Sequence, residues 1–201
     1  MEAILIHACC GPCSTVAVPW FRAAGFEPLA FFANPNIQPP DEHARRLDAM
    51  RRFAEAVDLE LVVEPGAGLR EWAAGPGRLA ARTGPAAGWS DPRERCRECL
   101  EVRLAEAAQA AAERGFERFS TTLTVSPWQQ HDLIARAGYA AAEVAGVEFV
   151  YADLRCFYPR SIDESRRLEL YRQRYCGCVA GKWQDWHERR ARRATGRRST
   201  A

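Results

Sequence analysis

Ala3-Ile4-Leu5-Ile6-His7-Ala8-Cys9-Cys10-Gly11-Pro12-Cys13 decides how this chain folds and where its chemistry sits. Ile4-Leu5-Ile6 has no polar interruption, which predicts a short buried strand over 3–7. The strand runs into three thiols, and Pro12 suits the first position of a following helix, where its missing N–H costs nothing. That helix is expected over 13–23, kinked at Pro19 and stopped at Gly25. A buried strand, a thiol-bearing turn and a helix make the first unit of a parallel sheet.

The same alternation continues outward. A second buried strand is expected over 28–32, followed by the rigid loop Asn34-Pro35-Asn36-Ile37-Gln38-Pro39-Pro40. Asp41 should cap a helix reaching about residue 57, and a third strand follows over 60–63. Residues 64–90, rich in Gly, Ala and Pro, read as a surface excursion with one short helix. Asp91-Pro92-Arg93-Glu94 pairs a capping Asp with proline and a Glu three residues on, a strong helix start. That helix should end at Gly115. A fourth strand is expected over 118–122, a helix from Ser126-Pro127 to about residue 137, a fifth strand over 148–151, and a last helix over 162–174.

Strands alternating with helices at this spacing predict an α/β fold, a parallel sheet with helices on both faces. In such sheets the binding crevice lies beyond the carboxyl ends of the strands. The first thiols, the Asn34–Pro40 loop, Ser126 and Asp153 should converge there.

With 201 residues, 47% of them hydrophobic, the chain can bury one sizeable core. No apolar run approaches the ~20 residues of a membrane span. Residues 1–8 carry an acid and lead straight into thiols, unlike a cleavable signal peptide. A cytoplasmic setting is expected, where clustered cysteines mean metal or redox chemistry more often than disulfides. Net charge is only +2, yet 189–198 hold six arginines and no acid. The organisation expected is one α/β domain over 1–182 and a basic, flexible tail over 183–201. That tail is either a solvated terminus or a phosphate-binding arm.

Seven of the eight cysteines fall in three clusters: Cys9, Cys10 and Cys13; Cys96 and Cys99; Cys176 and Cys178. Four thiolates hold one tetrahedral metal or one iron–sulfur cubane, so seven fit one complete site and a second, incomplete one. Cys96 and Cys99, three apart at a helix start, share a face and benefit from the helix dipole. Gly177 relieves crowding between Cys176 and Cys178. Cys156 stands alone and reads as a packing residue. Two rival functions remain open. Cys10-Gly11-Pro12-Cys13 has the pattern of thioredoxin-like dithiol oxidoreductases, although the extra thiols are then unneeded. A zinc-stabilised RNA-binding module using the arginines is the other.

Six motifs in register carry a resemblance: His7-Ala8-Cys9-Cys10-Gly11-Pro12-Cys13, Asn34-Pro35-Asn36-Ile37, Arg95-Cys96-x-x-Cys99, Thr121-Thr122-Leu123-x-x-Ser126-Pro127-x-Gln129, Asp153-x-Arg155 and Tyr171-Arg172-Gln173-x-Tyr175-Cys176-Gly177-Cys178. The chain resembles the cobalamin-independent epoxyqueuosine reductases of the QueH type over residues 3–178. The resemblance implies a HUP-like fold and a 4Fe–4S cluster beside a mononuclear iron, a metal replaceable by zinc. It also implies reduction of the epoxide of epoxyqueuosine in tRNA, with loss of oxygen, by electrons from an unidentified donor. In that frame Cys9, Cys96, Cys99 and Cys176 are assigned to the cluster and Cys10, Cys13 and Cys178 to the single metal. Exchange of Cys9 with Cys10, or of Cys176 with Cys178, stays open. Some relatives have aspartate where this chain has Cys13, which suits a lone iron better than a cluster.

The reaction needs two electrons, protons and a group to receive the departing oxygen. Asp153, Tyr175 and His131 are the candidate proton donors. Asn34, Asn36, Ser126 and Gln129 are candidate hydrogen-bonding partners for base or ribose, and Trp128 is placed to stack on a splayed base.

Overall fold

The computed structural model describes residues 1–64 and 92–194. Its central strand is β1 (Glu2–His7), whose Ile4, Leu5 and Ile6 are all buried. β1 pairs in parallel with β2 (Phe26–Phe32) on one side and with β4 (Arg118–Thr121) on the other. A strand flanked on both sides and covered on both faces has no solvent side, which is why it reads as a continuous apolar run. β3 (Leu61–Val63) joins β2, and β5 (Glu148–Phe149) joins β4, all in parallel. The resulting order, β3-β2-β1-β4-β5, reverses direction between β1 and β4, and that switch point is where such sheets open a crevice.

Helices cross over between the strands. α1 (Gly11–Ala23) packs against α2 (Pro40–Ala56), whereas α3 (Pro92–Glu113) packs against α4 (His131–Ala145). α5 (Tyr158–Arg167) lies against α1, and α6 (Val179–Ala194) ends the described chain. One apolar cluster gathers Ile4, Phe21, Leu104, Phe119 and Ile134; another gathers Phe32, Met50 and Phe53. The parallel sheet with helices on both faces is as expected.

Several boundaries differ from the sequence reading. α1 begins at Gly11, with Cys10 as its extended cap residue, and α2 begins at Pro40, so Asp41 sits inside the first turn. Ser126-Pro127 does not start a helix. Thr122–Val125 form a 3-10 turn instead, and the Ser126 hydroxyl accepts from the Trp128 amide at 3.4 Å, closing a local turn before α4 starts at His131. The helix expected over 162–174 is α5, shifted earlier: it is seeded by Pro159 in its first turn and ended near Glu169, whose φ is +50°. Residues 183–194 are helical, where a flexible tail was expected. Asp91 and the excursion expected over 65–90 lie outside the described residues.

Candidate metal centre

The carboxyl end of β1 sets the first three thiols. The Cys9 amide donates to Thr122 Oγ1 at 3.3 Å, and His7 Nδ1 meets Thr121 Oγ1 at 2.9 Å, so the two strands at the switch point are tied together under the site. Cys9, Cys10 and Cys13 hold their sulfurs within 4.8 Å of one another. Gly11 makes this possible: a Cβ there would lie 2.5 Å from the carbonyl oxygen of Ala49, so only glycine lets the start of α1 press onto α2.

Three thiols this close ionise unequally. Hydrogen bonds from Cys10 and Cys13 hold the Cys9 thiol well below its usual value, outweighing burial, and Arg103 and His7 assist. Cys13 pulls Cys10 down, but Cys9 and burial push it up to about 12, and Cys10 and Cys9 raise Cys13. Of the three, Cys9 is the thiol that most readily gives up its proton. A bound cation would release the remaining protons.

Cys96 and Cys99 project from the first turns of α3. Burial and then the Cys176 charge raise Cys96, and burial raises Cys99 to about 11 against the pull of Arg103. Beyond α5, the Cys176 and Cys178 sulfurs stand 3.5 Å apart. The Cys178 hydrogen bond, opposed by burial, lowers Cys176 to about 6, while Cys178 is raised. Gly177 between them has φ of +121°, and a Cβ would lie 3.0 Å from Ile37 Cγ1.

A buried arginine fixes that turn. Arg46, 1% exposed, donates Nη2 to the Tyr175 carbonyl at 2.8 Å and Nη1 to the Cys176 carbonyl at 3.1 Å. Its Nε donates to Glu42 at 2.8 Å, and Glu42 also accepts from the Tyr171 hydroxyl at 2.6 Å. Thiols from the three segments then face one cleft of about 540 Å³, with Cys9, Cys13, Cys96 and Cys176 on its wall.

Comparison with known proteins decides what this arrangement belongs to. Residues 4–184 match the family described as Epoxyqueuosine reductase QueH. The chain belongs to the QueH family. It is 36% identical over 181 residues to the epoxyqueuosine reductase QueH of Dehalococcoides mccartyi, covering 90% of this chain and 93% of that one. The QueH of Thermotoga maritima is 34% identical over 186 residues, covering 89% and 90%. A predicted tRNA methyltransferase subunit from Methanocaldococcus jannaschii shares the fold alone, with a TM-score of 0.54, 8% identity and coverage of 83% and 75%. QueH enzymes are oxidoreductases, and so is this chain. Among the described residues no helix is long and apolar enough to cross a membrane. The thioredoxin-like alternative also meets a physical obstacle. Dithiol exchange needs an accessible low-pKa nucleophile, whereas Cys10 is fully buried and raised.

The other QueH residues singled out in the sequence separate into two groups. Ser126, Trp128, Gln129 and Tyr175 line the cleft. Trp128 is 74% exposed and meets Tyr158 edge-on at 4.9 Å, and the Tyr175 hydroxyl donates to the Gln38 carbonyl at 2.5 Å. Asn34 and Asn36 are buried away from its wall. Asn34 donates to the Ala8 carbonyl at 2.9 Å and accepts from Arg103 at 2.8 Å, a structural brace. Asp153 does not line the cleft either: Arg155 holds its carboxylate, pulling it down to about 2. His131 is locked between the Tyr151 hydroxyl at 2.9 Å and the Ser126 carbonyl at 3.1 Å. Cys156 is exposed, so it is not a packing residue.

Sequence reasoning missed four residues. Arg46 gave no signal, being one arginine among several on a polar helix. Arg95 adjoins Cys96, and Arg103 follows Cys99 by four, one turn along the same face; that spacing was the available clue. Both are buried, and among the described residues Arg95 Nε and Nη1 and Arg103 Nε have no hydrogen-bond partner. Tyr158 lines the cleft beside Cys13.

Proposed function

We propose that this QueH protein reduces the epoxide of epoxyqueuosine in tRNA to the alkene of queuosine, using a 4Fe–4S cluster and a mononuclear iron bound by its clustered cysteines. The balance is two electrons and two protons taken up, two C–O bonds broken, one C=C bond formed and one water released. The electrons come from an external donor.

The residues suit such a centre. Seven soft donors from three segments exceed what one four-thiolate site takes. The N–H groups of Arg95 and Arg103 beside Cys96 and Cys99, unpartnered among the described residues, are of the kind that hydrogen-bond thiolate ligands. Cys9, Cys96, Cys99 and Cys176 would hold the cluster and Cys10, Cys13 and Cys178 the single metal. The short sulfur–sulfur distances within Cys9/Cys10 and Cys176/Cys178 are what permit either pair to trade places. When bound, these metals supply single electrons and a Lewis acid for the epoxide oxygen.

The protein's own part is to bind and orient. Ser126 and Gln129 offer polar contacts for base or ribose, and Trp128 a stacking face at the mouth. Tyr175, on the wall with its phenol kept protonated by burial, would give up a proton by turning from the Gln38 carbonyl it bonds here. The observation that carries the reading is that thiols from the beginning, middle and end of the chain share one cleft in a QueH family member.

The test is anaerobic assay on epoxyqueuosine-containing tRNA with Cys96→Ala in parallel. The wild type should be brown and form queuosine. The variant should lose the cluster's visible absorption and all activity, as losing one thiolate of four predicts. A colourless wild type active only on disulfides would overturn the reading.

A further inference from the structure

We propose that the outward face of α6 is an RNA-backbone surface that holds the substrate strand where it leaves the cleft. The proposal rests on tRNA being the substrate. α6 presents three faces at helical spacing. Gly181, Gln184, Asp185 and Glu188 line the cleft. Ala180 is fully buried, and Trp183, whose ring meets His187 at a 48° tilt, is half-buried on the second face. The third carries Lys182, Trp186, Arg189 and Arg190, all exposed.

That third face has the composition of a nucleic-acid track. Trp186 is 51% exposed with the Arg190 guanidinium 5.4 Å over its ring, a ready stacking platform flanked by cations. Arg189 has one loose ion pair, 3.6 Å from Asp185. Charge is also segregated: α6 holds five basic residues against two acidic ones, leaving 23 of the 28 basic and 24 of the 26 acidic residues to the rest of the chain. Among the described residues, α6 therefore carries a net positive charge beside its cleft-lining face. A polyanion with one nucleotide in the cleft meets these cations as its strand leaves. A solvated terminus has no reason to place an exposed tryptophan among those arginines beside the cleft mouth. The family match ends at residue 184, so most of this face is carried by chain beyond it.

The surface should work by counterion release, so the test reads salt dependence. Binding of unmodified tRNA is measured across salt concentrations for the wild type, for R189Q/R190Q and for R189K/R190K. Two lost phosphate contacts should reduce the slope of log K against log salt by about 1.5, and the lysine variant should restore it because charge alone is at work. The glutamine variant should bind several-fold more weakly at low salt and converge with the wild type at high salt. Should that variant not fold, wild-type protein decides the matter: tRNA should protect Arg189 and Arg190 from phenylglyoxal, read by mass spectrometry. Wild-type binding with an unchanged slope in the variant, or arginines unprotected by tRNA, overturns the surface and leaves the reductase reading standing. Wild type that binds no tRNA overturns both.

Discussion

Arg103 shows how much one residue can settle. Its guanidinium is buried and fixed through Nη2 on Asn34. Its charge stabilises the thiolates of Cys9, Cys99 and Cys176, which come from three different segments. A buried cation is costly unless negative charge gathers around it, and thiolates supply that charge. Arg103→Met keeps much of the volume and removes the cation. We expect it to weaken metal binding by about 10–100-fold, the usual effect of losing a residue that supports metal ligands, and to make the reconstituted centre harder to reduce, read by potentiometric titration. Arg103→Lys should recover part of both. An unchanged potential and metal content in Arg103→Met would show that the thiols hold the centre without it.

Among elements, the turn 175–178 depends most on residues remote in sequence. Arg46 and Glu42 lie one turn apart on α2, and each is nearly inaccessible. Burial alone would raise the Glu42 carboxyl, but the Tyr171 hydroxyl and then Arg46 and Arg45 hold it below its ordinary value of 4.5. A carboxylate lowered on folding stabilises the protein above its unfolded pKa, and that contribution is lost as pH falls through the lower folded value. Glu42→Gln leaves Arg46 without its counter-charge and should cost about 3–5 kcal/mol at neutral pH. The gap between variant and wild type should close as pH drops below 4.5, measured by thermal unfolding. A constant gap down to pH 3 would refute the role assigned to the pair. This clamp also marks where the sequence stops being readable. β1, the thiol turn and the α3 start announced themselves through local patterns: an apolar run, and prolines in the first turns of α1 and α3. The shift of α5 from the expected 162–174 and the turn at Ser126 depend on Glu169 adopting a positive φ and on a serine hydroxyl preferring the Trp128 amide to a helix. Asp153 misled for a related reason. Following a strand places a residue near the crevice, but Arg155 two positions on captures the carboxylate first.

For the whole molecule, the sheet and the metal site hold different parts of the chain. The sheet gathers 1–64 and 92–149 through β-pairing, whereas the segment from Leu168 to Ala194 contributes no strand. Its turn at 175–178 is moored by Arg46, by the Gln38 amide donating to the Gly177 carbonyl at 2.8 Å, and by the Tyr175 hydroxyl. Metal held jointly by Cys9 and Cys176 would add a cross-link closing a loop of more than ~100 residues, worth about 4–5 kcal/mol in chain entropy. Because metal binds the folded arrangement in preference to the unfolded chain, removing it lowers stability by mass action as well. Stripping the anaerobic protein with a chelator should therefore lower its melting temperature by on the order of 10 °C. It should also open the C-terminal segment first, with proteolytic cuts appearing between residues 168 and 178 while the sheet stays intact. Cleavage that begins elsewhere, or that proceeds equally with and without metal, would mean that the cysteines of the last segment do not share a centre with those of the first.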